Sequence, residues 1–170
     1  LGDRLTAVQT PGGCGAVRLG AEVIFAAAPT ATVWVSDPTW PVHIPLMGSV
    51  GLQFKSYRYY SAAIRGLDFT AMLEDLEAAS PGDIVLLHGC CHNPSGVDPN
   101  AEQWQALATF MAERALVPMV DFAYQGMGAG LSEDAAGLRC LIDHVPEMII
   151  AVSSSKNIGL YRERAGAVMF

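Results

Sequence analysis

A lysine near the end of the chain is the first residue whose position suggests chemistry. Lys156 follows a strand-like apolar run and three serines, Ser153 to Ser155, and it precedes Asn157. Burial at the end of a strand disfavours the charged ammonium, which makes the neutral amine available as a nucleophile. The ordinary alternative is a loop lysine whose aliphatic stem packs on the sheet while its ammonium reaches water. Lys156 taken alone fits both interpretations.

An acid and a phenol hold a similar place after an earlier apolar run. Asp121 ends the run that starts at Val117, so its carboxylate leaves the core and requires a cationic or hydrogen-bonding partner. Tyr124, three residues later, offers a phenolic hydroxyl as a donor. The alternatives are an Asx turn or a helix N-cap for the aspartate and simple packing for the tyrosine.

Two glycine-containing segments could supply further polar groups. Segment 93–96, Asn-Pro-Ser-Gly, predicts a tight turn ahead of a helix that begins near Ala101. Segment 11–15, Pro-Gly-Gly-Cys-Gly, predicts a helix start whose backbone N–H groups and dipole favour an anion such as a phosphate. It lacks the G-x-G-x-x-G spacing and a clear preceding strand, so a nucleotide-binding fold is a distant alternative.

The cysteines raise the question of a metal or a disulfide. Cys90, Cys91 and His92 are adjacent, whereas Cys14 and Cys140 stand apart. Neighbouring residues on an extended segment point to opposite faces, which keeps two adjacent thiols from sharing one tetrahedral ion. No second ligand arm completes a site. The sequence therefore predicts no metal and structural thiols in a reducing cytoplasm.

Apolar strand-like runs alternate with amphipathic helix-like runs along the whole chain, a pattern typical of an α/β sheet covered by helices. Asp68 is the expected N-cap of one helix, which Ser80, Pro81 and Gly82 end. No strand is expected before the helix start at 11–15, and the opening Leu1-Gly2-Asp3 shows none. The expected helices are 15–27, 68–79, 101–114 and 135–144, and the expected strands are 32–35, 51–57, 84–87, 117–121, 148–153 and 165–170.

The residues that could do chemistry follow three of these strands. They lie in segment 88–96, in segment 121–124 and at Lys156. Ligands of an open α/β sheet bind at the carboxyl ends of its strands, so these residues are expected to form one shared site.

Composition excludes several function classes. The 170 residues carry a formal net charge of −7 and no cluster of lysine or arginine, which argues against a nucleic-acid surface. No apolar run reaches the ~18 residues that a membrane helix needs, and no signal segment opens the chain. We expect one domain of a soluble protein, and the abrupt apolar end at 167–170 suggests a piece of a longer chain.

Taken together, these segments resemble the fold-type I aminotransferases that use pyridoxal 5′-phosphate (PLP), specifically the aspartate/aromatic subfamily. The resemblance covers essentially the full chain and is most specific over 153–164, 88–96 and 121–126. It implies a three-layer α/β fold with a mostly parallel central sheet and helices on both faces. Residues 1–170 would form part of the large PLP-binding domain, without the N-terminal arm and the C-terminal small domain.

The resemblance also implies three catalytic residues. Lys156 would bind PLP covalently and, once displaced by substrate, would move a proton between the substrate and the cofactor. Asp121 would pair with the protonated pyridine nitrogen, a pairing that is recognisable in PLP enzymes. Tyr124 would hydrogen-bond the phenolic oxygen of the cofactor.

Further cofactor contacts and supporting residues are implied in the same way. Asn93 would join Tyr124 at the phenolic oxygen, Trp40 and Ala123 would lie against the two faces of the ring, and His43 and His88 would support Asp121. The implied phosphate ligands are Gly13, Cys14, Ser153 and Arg164. Two positions depart from the family pattern, because Cys14 replaces a hydroxyl residue and Val42 replaces a common asparagine.

The implied activity is ping-pong transfer of an amino group between an L-amino acid, aspartate or aromatic, and a 2-oxo acid such as 2-oxoglutarate. The family would act as a cytoplasmic homodimer. Because the arginines that grip the substrate would lie outside these residues, we expect this piece alone to be inactive. Two alternatives stay open, namely an inert truncated remnant and another PLP reaction, decarboxylation or lysis, on the same fold.

Overall fold

The computed structural model of the chain describes residues 5–170, and Leu1 to Asp3, where no strand was expected, lie outside the described residues. Nine strands and five helices follow one another in this part of the chain. The strands are β1 Ala7–Pro11, β2 Thr32–Asp37, β3 Gln53–Arg58, β4 Tyr60–Ser61, β5 Gly66–Leu67, β6 Ile84–His88, β7 Val117–Phe122, β8 Ile149–Ser153 and β9 Ala165–Met169. The helices are α1 Gly12–Ala27, α2 His43–Gly48, α3 Phe69–Leu76, α4 Ala101–Glu113 and α5 Ala136–His144.

Seven strands form the central sheet in the order β1-β9-β8-β7-β6-β2-β3. The five strands from β8 to β3 run parallel to one another, and β9 and β1 are each antiparallel to their neighbours. Strand β6, buried at every residue, lies in the middle of the parallel part. Strands β4 and β5 form a separate two-stranded sheet. The mostly parallel α/β sheet expected from the sequence is confirmed.

Helices cover both faces of the sheet because side chains of each buried strand alternate between the faces. In β6, Leu86 packs into a cluster with Val17 of α1, whereas Val85 packs into a second cluster with Leu107 of α4. The first cluster also includes Met47 of α2. The second cluster includes residues of α3, α4 and α5. The sheet therefore has an apolar core on each side, and the polar side chains that could bind a ligand lie at the ends of the strands.

Local sequence explains where two of the helices begin. The Asp68 carboxylate accepts a hydrogen bond from the Ala71 N–H at 3.0 Å, which confirms the expected N-cap of α3. Helix α4 begins with a capping box in which Asn100 and Gln103 bond each other's backbone N–H at 2.9 Å. The four expected helices and six expected strands all occur, with ends that differ by up to three residues.

Four elements were not expected. The prediction that no strand precedes the glycine-rich segment is wrong, because β1 ends at Pro11 and α1 begins at Gly12. Strand β1 pairs only with β9, which lies more than 150 residues away, and four of its five residues are exposed. The short helix α2 and the β4–β5 pair were also missed. No helix among residues 5–170 is long and apolar enough to cross a membrane.

Candidate active site

A cavity of about 170 Å³ opens at the carboxyl ends of the parallel strands, between them and the start of α1. Every residue that the sequence predicted to bind a cofactor lines it, and His88 lines it as well. His43 lies behind the wall. The lining residues are Gly13, Cys14, Trp40, His88, Asn93, Asp121, Ala123, Tyr124, Ser153, Ser155, Lys156, Tyr161 and Arg164.

Sheet register explains why residues from distant segments meet here. His88 at the end of β6 is aligned with Asp121 of β7, and Asp121 is aligned with Ala151 of β8. Beyond these aligned positions each strand passes into a loop at the same edge of the sheet. Segments 88–96 and 121–124 and the loop that carries Lys156 therefore reach one cavity.

A lysine, a tyrosine and an asparagine meet at one side of the cavity. The Lys156 ammonium donates to the Tyr124 hydroxyl at 3.0 Å, and its nitrogen lies 4.1 Å from the centre of the tyrosine ring. The Asn93 amide donates to the same hydroxyl at 3.4 Å. Since the hydroxyl oxygen accepts from both neighbours, its own proton is free to be donated into the cavity. An amine, a phenol and an amide thus converge on one point.

The other end of the cavity is suited to an anion. Helix α1 is 16 residues long and begins there, and no side chain caps its N-terminus. Its first N–H groups therefore present partial positive charge to the cavity beside the Arg164 guanidinium. Arg164 donates to the Ser155 hydroxyl at 3.3 Å and to the Tyr161 carbonyl at 3.1 Å, which fixes its direction.

Gly12 allows the arginine to lie this close to the helix start. It has φ +71°, and a Cβ atom added there would lie 2.5 Å from the Arg164 Nη2 atom. Only glycine therefore leaves room for the guanidinium against the backbone. Gly13 next to it faces the Ser153 side chain, 3.0 Å from the position of an added Cβ. The result is a narrow cradle of N–H, hydroxyl and guanidinium donors.

A chain of hydrogen bonds leads from Asp121 into the protein. His43 Nε2 lies 3.0 Å from Asp121 Oδ2, and His43 Nδ1 lies 2.9 Å from the Thr39 hydroxyl. That hydroxyl lies 3.2 Å from His88 Nε2, and His88 Nδ1 accepts from the Asn93 N–H at 3.3 Å. The expected support of Asp121 by His88 thus runs through Thr39 and His43.

The direction of these hydrogen bonds follows from the contact between the Asn93 N–H and His88. A backbone N–H can only donate, so Nδ1 of His88 is an acceptor and its ring proton is on Nε2. His88 then donates to Thr39, the threonine hydroxyl donates to His43, and His43 donates to Asp121. Burial, followed by the neighbouring His92 and His43, lowers the pKa of His88 well below its usual value, which keeps the ring neutral.

Packing holds this chain in place. The His43 side chain is fully buried, whereas 13% of the Asp121 side chain is exposed. The ring of Trp40 meets His43 edge-on at 5.2 Å, and His92 lies 4.1 Å from His88 and is stacked on Tyr59. The carboxylate therefore reaches the cavity from a rigid, desolvated support, and it is available to a cationic group of a ligand.

Sequence reasoning missed three residues of this site. Ser155 and Tyr161 hold Arg164, and Thr39 links the two histidines. Ser155 and Tyr161 lie inside segment 153–164, so their places in the sequence were available as a signal. Thr39 carried no such signal, because its partners come from α2 and from the end of β6.

One argument about the cysteines is corrected by the structure. Cys91 has φ +50°, so the segment is not extended at this point and the two thiols do not point to opposite faces. Ligand atoms of Cys90, Cys91 and Asp134 all lie within 4.8 Å of one another. This group lies outside the cavity lining. All four cysteines have free thiols.

Comparisons with known proteins agree with one another. Residues 2–170 match the sequence model of the family described as aminotransferase class I and II. The chain is 51% identical over 165 residues to an aspartate aminotransferase of Haemophilus influenzae, covering 97% of this chain and 42% of the relative. It is 48% identical over 174 residues to an aromatic-amino-acid aminotransferase of Paracoccus denitrificans, covering 99% and 44%. The chain thus spans less than half the length of these curated relatives.

Solved structures show the same likeness. An aromatic amino acid aminotransferase with 3-indolebutyric acid superposes with a TM-score of 0.96 at 48% identity, over 98% of this chain and 42% of the other. The aromatic-amino-acid aminotransferase from Burkholderia pseudomallei, covalently bound to pyridoxal phosphate, superposes with a TM-score of 0.95 at 40% identity, over the same shares.

Proposed function

The chain belongs to the aminotransferase class I and II family, and on this basis we propose that the full-length protein transfers an amino group between an L-amino acid and a 2-oxo acid. The amino acid is aspartate or an aromatic one, in line with the names of the relatives, and 2-oxoglutarate is the proposed acceptor. PLP is the cofactor, and the two half-reactions proceed in ping-pong order. Residues 1–170 form part of the large, PLP-binding domain.

The donors at the start of α1 fit the phosphate of PLP. An anion at this position would meet uncapped helix N–H groups at Gly13 and Cys14, a guanidinium at Arg164 and a hydroxyl at Ser153. Helix N-termini and arginine are the preferred phosphate ligands of proteins. The thiol of Cys14 is a weaker donor than a hydroxyl, so the backbone and Arg164 hold most of the anion.

The opposite wall fits the pyridine ring. The Asp121 carboxylate, aimed by the hydrogen bond that His43 donates, would accept a hydrogen bond from the ring nitrogen and would keep that nitrogen protonated. Trp40 and Ala123, which also line the cavity, are the proposed contacts of the two ring faces. Bound in this way, the cofactor withdraws electrons from the substrate Cα, which is the chemistry that transamination requires.

Lys156 is the proposed catalytic base and covalent anchor. Its nitrogen is 3.0 Å from the Tyr124 hydroxyl, close enough to pass a proton between them. Tyr124 and Asn93 together would hold the phenolic oxygen of the cofactor on the side of the cavity where Lys156 lies. With the cofactor bound, the amine of Lys156 would take the proton from the substrate Cα and would deliver it to C4′ of the cofactor.

One observation carries this proposal. A lysine, an aspartate and an arginine, with a tyrosine and an asparagine between them, line one cavity of about 170 Å³. Their chemical types match the three parts of PLP, namely its aldehyde, ring nitrogen and phosphate. Decarboxylation or lysis would use the same cavity, and no feature of the described residues favours them.

The test uses borohydride reduction of the full-length protein with PLP, followed by peptide mass mapping. We expect a pyridoxyl adduct on Lys156, and a Lys156→Ala variant should lack it and nearly all transamination, because general-base catalysis alone contributes about 10²–10⁴-fold. Lys55 serves as the matched control, since Lys55→Ala removes an exposed lysine that contacts Trp34. Adduct formation at other lysines only, or full activity of the Lys156→Ala variant, would contradict the proposal.

We extend the proposal to a homodimer. Ile158 and Tyr161, close to Lys156 in the chain, are 66% and 58% exposed, and Tyr161 also lines the cavity. Apolar side chains at the mouth of a site are suited to a protein contact. Sedimentation of the full-length protein as a monomer at micromolar concentration would contradict this extension.

A further inference from the structure

Two cysteines and an aspartate form a second cluster beyond the end of β6. Cys90 is buried, Cys91 is partly exposed, and Asp134 is buried in the loop before α5. The ligand atoms of all three lie within 4.8 Å of one another, and none of the three residues lines the cavity at the strand ends. The positive φ of Cys91 brings its thiol to the same side as the thiol of Cys90.

The aspartate is held by its own loop. Four backbone N–H groups, those of Gly126, Gly128, Ala129 and Gly130, donate to its two oxygens at 2.8–3.4 Å. Burial opposes ionisation, yet these donors lower the pKa of Asp134 below its usual value. The carboxylate is therefore an ionised group of fixed direction next to two thiols. Metal-ligating carboxylates are held by outer hydrogen bonds of this kind. Because each oxygen already accepts two N–H groups, an ion takes the place of the weakest of the four contacts, that of the Gly130 N–H with Oδ1 at 3.4 Å.

We propose that Cys90, Cys91 and Asp134 form a binding site for one thiophilic divalent cation of the Zn²⁺ and Cd²⁺ class, with water as the fourth ligand. Thiolate and carboxylate are ordinary ligands of such ions.

The geometry needs little adjustment. With metal–sulfur bonds of about 2.3 Å, the sulfur ligands of a tetrahedral site are about 3.8 Å apart. Closing the cluster from its present 4.8 Å limit shortens the sulfur–sulfur distance by up to about 1 Å and each sulfur–oxygen distance by up to about 1.3 Å, because the metal–oxygen bond is the shorter one. Cys91, which is partly exposed, gives the ion its entry path, and the loop 126–130 keeps the aspartate in place while the thiols move.

The charges around the thiols favour a cation. Asp98 accepts the N–H of Cys91 at 2.6 Å, so a second carboxylate lies next to the pair. Burial, followed by the charge of Asp98, raises the pKa of Cys91. Burial, followed by the Cys91 thiol, raises the pKa of Cys90 as well. A divalent ion reverses this effect, because it stabilises the thiolates that the carboxylates oppose.

Binding is an exchange of protons for metal without any change in oxidation state. Each thiol loses its proton as its sulfur bonds the ion, so two protons leave the protein for each ion bound. The apparent affinity therefore rises with pH.

The test is a titration of the reduced full-length protein with Cd²⁺, followed by the ultraviolet charge-transfer band of cadmium thiolate and by proton release. We expect one ion to bind per cluster, with two protons released. The Cys91→Ser variant should bind it at least about 100-fold more weakly, because even substitutions outside the ligand shell cost about 10–100-fold. Cys90→Ser should have the same effect.

The controls are the two cysteines outside the cluster. Cys140→Ser and Cys14→Ser should each leave the affinity within about twofold, since neither belongs to the cluster. The proposal is overturned if the wild type shows no saturable band, if Cys91→Ser binds Cd²⁺ as tightly as the wild type, or if the band depends on Cys14 or Cys140. Circular dichroism of each variant checks that the fold is retained.

Discussion

Removal of the Thr39 hydroxyl should destabilise the protein far more than removal of an ordinary surface hydroxyl. In the Thr39→Val variant, the shape of the side chain is kept, but the buried Nε2–H of His88 and the buried Nδ1 of His43 both lose their partner. Each buried polar group left without a partner costs about 1–3 kcal/mol. We therefore expect the free energy of unfolding to fall by about 2–6 kcal/mol, twice that single cost.

The measurement is equilibrium urea unfolding of the full-length protein without cofactor. Thr39→Ser keeps the hydroxyl and should lose only about 0.8 kcal/mol for the missing methyl group. Thr109→Val is the matched control, because the Thr109 hydroxyl is exposed and donates to the Gln105 carbonyl of its own helix at 3.0 Å. Its effect should stay within about 0.5 kcal/mol. If Thr39→Val costs no more than Thr109→Val, the hydrogen-bond chain behind Asp121 does not exist in solution as described.

Two other predictions concern the arginine and the histidines. Arg164→Lys keeps the charge but loses the guanidinium fork that would bind the phosphate, and with it the contact with Ser155. The affinity for PLP, measured by fluorescence titration, should therefore fall about 10-fold to 100-fold, for a loss of about 1.5–3 kcal/mol, whereas Arg162→Lys should change it little. Equal effects of the two variants would count against the phosphate cradle. Burial, followed by His43, lowers the pKa of His92 from 6.5 to about 4. As the pH falls, the unfolded chain therefore binds a proton at this histidine before the folded chain does. The contribution of His92 to stability is complete above pH 6.5 and is lost as the pH falls towards 4. Urea unfolding at pH 7 and pH 5 should show this loss of stability, which is at most about 1.4 kcal/mol per pH unit for one histidine. The loss should be smaller in His92→Phe and unchanged in the control His144→Gln. An unchanged loss in His92→Phe would refute the role of His92.

The layered fold could be predicted from the sequence because its determinants are local. A short, continuous apolar run such as 84–87 favours a buried strand, and an amphipathic run that starts with a cap such as Asp68 favours a helix on the surface of the sheet. Strand β1 could not be predicted in this way. It is mostly exposed, and it exists as a strand because it pairs with β9 at the opposite end of the chain.

Some residues of the candidate site could likewise be predicted from the sequence, and others could not. Lys156, Asp121 and Tyr124 could be named from the sequence because each lies at or just beyond the carboxyl end of a parallel strand and because their segments resemble one family. His43 and His88 could be named in the same way as supports of Asp121, but Thr39, which links them, could not. Thr39 is a common polar residue, and its importance lies in which buried groups it contacts.

The sequence alone predicts ten of the fourteen described strands and helices, in their order along the chain, and the chemical types available at the strand ends. Those properties follow from hydrophobic periodicity and capping, which act between residues a few positions apart. The direction of the hydrogen bonds from His88 to Asp121 and the close approach of Arg164 to Gly12 depend on the tertiary fold. The short distance between the ligand atoms of Cys91 and Asp134 depends on it as well. Hydrogen-bond direction and close approach depend on backbone angles and on partners distant in sequence, and no local pattern encodes either.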